Sequence, residues 1–153
     1  MNILFLHGAL SSSKEFEPLI QQLPQHLNCV RYDFTGHGNS NAEIEFESML
    51  NEMVAFIAAN FNNESYHIVG YSMGGYMALY AASKDFIKPA SICTIATKLI
   101  WDEQLIEKQK MALDYKNALA KAPAFLQQLN DQLRMKTPHQ AISETLGFMK
   151  QLA

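Results

Sequence analysis

Residues 67–82 read HIVGYSMGGYMALYAA. An apolar, β-branched run ends at Gly70, and a single serine follows at Ser72. Two more glycines, Gly74 and Gly75, lead into an alanine-rich helical stretch. Gly70-Tyr71-Ser72-Met73-Gly74 fits G-x-S-x-G set between a strand and a helix, a context more telling than the letters alone. A turn that sharp strains the backbone of its central residue. Small residues two before and two after it avoid clashes with neighbouring backbone. The Ser72 hydroxyl then projects above the sheet edge. The Met73 N–H points at the same space, where a helix start adds partial positive charge.

Outward from this turn, strand and helix patterns alternate. NILFLHG (2–8) is a short apolar run ended by glycine, as expected of a strand buried on both faces. In SSSKEFEPLIQQL (11–23), Phe16, Leu19, Ile20 and Leu23 recur at helical spacing, with Ser12 and Glu15 placed for a capping box. NCVRYDF (28–34) predicts a second strand, TGHGNSN (35–41) a loop, and FESMLNEMVAFIAANF (46–61) an amphipathic helix. A third strand precedes Ser72, a helix runs from Met73 to about Lys84, and SICTIATKL (91–99) predicts a fourth strand. This βαβαβαβ order implies parallel strands, right-handed crossovers and helices on both faces, with ligands at the carboxyl ends of the strands. After Leu99 three helical stretches follow, with Asp102 and Thr137 as N-caps and Pro123 and Pro138 in first turns. The expected architecture is α/β: a mostly parallel four-stranded sheet over residues 1–100, then a helical lid over 101–153.

Composition narrows the partners. A net charge of −3 with no Lys/Arg run argues against nucleic acid or an anionic membrane surface. The N-terminal stretch has no basic segment, and its apolar run is too short for a signal peptide. No stretch approaches the roughly 20 apolar residues of a membrane span. Cys29 and Cys93 sit in strand-like runs and read as buried, reduced thiols. A cytoplasmic protein is expected. No Cys/His spacing suits a metal, and neither a phosphate loop nor a dinucleotide fingerprint is present, so no cofactor is expected.

Three stretches, HGA (7–9), DFTGHGNS (33–40) and GYSMGG (70–75), stand in the order found in the α/β-hydrolase fold superfamily, which residues 1–100 resemble. The likeness is greatest to its small esterase, haloperoxidase-like and menaquinone-pathway lyase members, and the fold is incomplete relative to theirs. The resemblance implies Ser72 as nucleophile, the N–H groups of Ala9 and Met73 as oxyanion hole, and a small-molecule acyl substrate. It also implies an acid and a histidine on loops after two further strands, which this sequence does not contain. Asp102 and His139 reproduce the order Ser…Asp…His and are the candidate acid and base; each also reads as a helix-start residue. His7, His26, His37 and His67 read as structural or out of reach. Two alternatives stand beside a serine hydrolase: a lyase using the same serine, and a non-catalytic protein that oligomerises through the exposed edge of the fourth strand.

Overall fold

The computed structural model describes residues 1–62, 64–116, 120, 122–132 and 136–152. Four strands, β1 (Asn2–Leu6), β2 (Asn28–Tyr32), β3 (Tyr66–Tyr71) and β4 (Ser91–Ile95), form one sheet in the order β2-β1-β3-β4. Every pairing is parallel, with Leu6 opposite both Tyr32 and Gly70, and Tyr71 opposite Ile95. Alternate residues of β1 serve two cores. Leu4 and Leu6 enter the larger one, with Met49, Met53 and Ile57 of α2 (Phe46–Phe61) and Met77 and Ala81 of α3 (Met73–Ser83). Ile3 and Phe5 face the other way and pack with Phe16. The strand order reverses direction between β1 and β3, so their carboxyl ends flank the crevice where parallel sheets bind ligands.

The segment after residue 100 is helical among the described residues: α4 (Glu103–Ala112), α5 (Pro123–Gln132) and α6 (Pro138–Lys150). Asp102 Oδ1 accepts the Leu105 N–H at 2.8 Å, and Thr137 Oγ1 accepts that of Gln140 at 3.2 Å, so both caps form. Phe148 and Met149 of α6 enter the larger core directly. Leu10, from the loop after β1, packs among Leu126, Leu129, Ala141 and Ile142.

Four local expectations need correction. The single helix expected over 11–23 is a 3-10 turn (Ser13–Phe16) followed by one α turn, α1 (Glu17–Ile20). Pro18 has no N–H for the Lys14 carbonyl, and its ring crowds that carbonyl. The Ser12 hydroxyl makes no cap; it bonds the Gln132 side chain, while the Glu15 carboxylate accepts the Gly8 N–H at 3.3 Å. The fourth strand stops at Ile95 rather than Leu99, because Ala96 turns the chain at φ 51°. Cys93 is exposed, since β4 is an edge strand with no neighbour beyond it among the described residues.

Candidate active site

Backbone packing fixes the corner at Ser72. Ser72 has φ 49° and ψ −111°, outside the regions that L-residues ordinarily occupy. Its N–H donates to Ile95 O at 2.8 Å, and its carbonyl accepts from Tyr76 N at 3.2 Å and Thr97 Oγ1 at 3.1 Å. The surrounding glycines are required by contact. A Cβ on Gly74 would lie 2.2 Å from Leu6 O, and one on Gly70 would lie 2.5 Å from Gly75 Cα. The start of α3 therefore rests directly on the end of β1.

The loop after β1 meets this corner. A Cβ on Gly8 would lie 2.8 Å from the Tyr71 ring and 3.5 Å from Ser72 Cβ. His7 Nδ1 donates to Gly8 O at 2.7 Å, and its Nε2 accepts from Phe34 N at 3.1 Å, which sets the tautomer. Leu10 then turns at φ 59°. Ala9, Ser72 and Met73 line one small cavity together with Tyr76, Trp101 and Phe148. No protein acceptor takes the Ala9 or Met73 N–H among the described residues. The cavity holds about 40 Å³, and a wider groove of about 640 Å³ opens beside it past Ala9 and Tyr71.

The histidines are engaged elsewhere. Burial holds His7 down at about 4, against the hydrogen bond to Gly8. His37 is held at about 3 by burial and then by His7, whose ring centre is 5.1 Å away. Both are neutral rings bracing the loops after β1 and β2. Asp33 works with them: its Oδ1 accepts the Ser13 N–H at 2.5 Å, and its carboxylate closes over Gly38. His67 Nδ1 meets Ser91 Oγ at 2.8 Å, and His26 is exposed. His139 lies edge-on to Tyr115 at 5.3 Å in the first turn of α6, while Phe148, Met149 and Leu152 at the far end of that helix line the Ser72 cavity. Phe148 lies nine positions along the helix from His139, roughly 13 Å along the axis. No hydrogen bond joins Ser72, Asp102 and His139 among the described residues. No group of three His, Cys, Asp or Glu suited to a metal occurs among them either.

The fold is that of a known family, whose profile, described as alpha/beta hydrolase fold, matches residues 2–143. The chain belongs to the alpha/beta hydrolase fold family. It is similar to a putative 2-succinyl-6-hydroxy-2,4-cyclohexadiene-1-carboxylate synthase of Haemophilus influenzae, 38% identical over 84 residues, 54% of this chain and 34% of that protein. It is also similar to monoacylglycerol lipase ABHD6 of Homo sapiens, 25% identical over 158 residues, 92% of this chain and 47% of that protein. Two solved structures share the fold. MenH from S. aureus matches with TM-score 0.71 and 22% identity, over 97% of this chain and 65% of that one. A thermophilic esterase from Thermogutta terrifontis matches with TM-score 0.71 and 15% identity, over 98% and 64%. The chain thus spans a third to a half of these curated relatives. As a family member it has hydrolase-like and lyase-like kin, and no helix among its described residues is long and apolar enough to cross a membrane.

Three site residues escaped the sequence reading. Thr97 braces the Ser72 carbonyl, Lys98 lines the cavity, and Glu15 holds Gly8. Thr97 and Lys98 were hidden because the apolar run read as strand through Leu99. For Glu15, burial pushes the carboxyl above its ordinary value, partly offset by hydrogen bonds from Ser11 and Gly8.

Proposed function

We propose that Ser72 is the nucleophile of an acyl-transfer reaction on an ester or related small molecule. Its oxygen attacks the carbonyl carbon, the N–H groups of Ala9 and Met73 hold the negative oxygen, and water later releases the acyl group. The observation that supports this most is the Ser72 backbone at φ 49°, kept in place by packing that forbids a side chain at Gly70 and Gly74. A serine hydroxyl also needs a proton acceptor, and no described imidazole hydrogen-bonds to it. We therefore expect slow turnover from these 153 residues alone, about 10³–10⁴-fold above water at most, as oxyanion binding alone can supply. Mass spectrometry of the chain quenched during p-nitrophenyl butyrate hydrolysis checks this: a butyryl adduct on Ser72 is expected, and turnover with no acyl adduct on Ser72 would refute it as nucleophile.

Two other readings each have one supporting observation. The similarity to the Haemophilus influenzae synthase, 38% over 84 residues, suits a lyase using the same serine; turnover of simple esters would count against it. The exposed β4 edge, with Ile95 at 42% exposure, suits self-association. A concentration-independent monomer in sedimentation would exclude that. The free thiols at Cys29 and Cys93 fit a reducing, cytoplasmic setting.

A further inference from the structure

The wall of the Ser72 cavity carries one charge among its described lining residues, that of Lys98. Lys98 Nζ stands 5.5 Å from the centre of the Trp101 ring. No ion pair involves Lys98 among the described residues, and no Asp or Glu lines the cavity. Trp101 is on the same wall, and its indole Nε1 is buried without a hydrogen-bond partner. Buried donors are nearly always paired in folded proteins, so an orphaned one on a cavity wall marks a place for an acceptor. The described lining thus carries one ammonium, the unpaired indole N–H of Trp101 and the unpaired amides of Ala9 and Met73, and no Asp or Glu.

We propose that the site selects a short acyl compound ending in a carboxylate, with Lys98 pairing that carboxylate and Trp101 donating to one of its oxygens. The proposal rests on Ser72 being the attacking group, since that places the ester carbonyl at the amides and the charged end toward Lys98. The cavity of about 40 Å³ takes only a small polar end group, and the adjoining groove of about 640 Å³, which shares Ala9 and Met149 with it, has room for the rest of such a compound. The Lys98–Trp101 pair orders the ammonium without neutralising it, which a carboxylate then does.

Trp101 is the only tryptophan in the chain, so intrinsic tryptophan fluorescence reports on this wall alone. The probe is monomethyl succinate, with methyl levulinate as an uncharged ester of nearly the same shape. Monomethyl succinate is expected to shift the emission with about tenfold higher affinity, the scale of a hydrogen-bonded charge. Added salt should erode that preference. Lys98→Met should abolish it, and Lys98→Arg should keep most of it, with circular dichroism confirming that both variants fold. Equal affinity for the two esters, no response to either, or an unchanged preference in Lys98→Met would each overturn the proposal. Ser72→Ala should retain the preference. A retained preference in a chain that no fluorophosphonate labels would leave the anion site standing and remove Ser72 as nucleophile. Labelling without a preference would do the reverse.

Discussion

The Ser72 corner and the helical segment beyond residue 100 are held by different forces. At the corner, backbone packs on backbone: Gly74 against Leu6, Gly70 against Gly75, and Ser72 N on Ile95 O. The later helices are tied by side chains that reach across the molecule. Glu144 accepts the Ile44 N–H at 3.2 Å, the buried Lys136 ammonium bonds both Glu144 and the Ala42 carbonyl, and Gln151 Oε1 accepts the Phe46 N–H at 3.1 Å. The corner should therefore tolerate no added atom, while the helices should tolerate added atoms but not a lost charge.

The largest effect expected is at Gly74. Gly74→Ala places a methyl 2.2 Å from Leu6 O, where neither backbone can yield, and should cost about 4 kcal/mol or prevent folding. Urea denaturation measures it, and a loss below about 1 kcal/mol would mean the corner can relax. Next comes Glu144→Gln. It leaves the Lys136 ammonium, 1% exposed, without its counter-charge, and should cost about 3 kcal/mol. If the loss is negligible, the tie is not what seats α6.

Acid should separate the two regions. His7 and His37 stay neutral down to about 4 and about 3, whereas an unfolded histidine protonates near 6.5. As pH falls from about 6.5 toward 4, the unfolded chain takes up protons that the folded chain refuses, so stability drops. Glu144 behaves differently. Burial alone would raise its carboxyl, but hydrogen bonds from Lys136, Gln140 and Ile44 outweigh that and hold it below its ordinary value. Its contribution is therefore complete above about 4.5 and fades only below that. Urea midpoints should decline between about pH 6.5 and 5 in the wild type and in Glu144→Gln alike. A flat midpoint over that range would contradict the neutral histidine pair.

The smallest effects are gains. A Cβ on Gly147, inside α6, meets nothing within 4 Å, so Gly147→Ala should add about 1 kcal/mol through helix propensity. Ser72→Gly should add a similar amount, about 1 kcal/mol, by releasing strain at φ 49°. A loss in either variant would blur the contrast between the two regions.

What was legible in the sequence follows the same division. Apolar runs, glycines and helix starts are local signals, and they located all four strands, the Ser72 turn and the caps at Asp102 and Thr137. Left-handed turns at Leu10 and Ala96 carry no glycine to announce them, so the end of β4 and the positions of Thr97 and Lys98 were misread. The Glu144–Ile44 and Lys136–Ala42 ties join residues about a hundred positions apart, and no local pattern encodes them. The cavity wall is shared by the loops after β1 and β4, the Ser72 turn with α3, and the end of α6, so its donor-rich character emerges only once these meet.

Reaction of the folded chain with a fluorophosphonate, followed by mass spectrometry of its peptides, tests most directly whether this corner is built for attack. The account predicts a single adduct on Ser72, formed faster than on the urea-unfolded chain and slower than on a complete serine hydrolase. An unmodified Ser72, or adducts scattered over Ser11, Ser12 and Ser13 at the same rate, would contradict it.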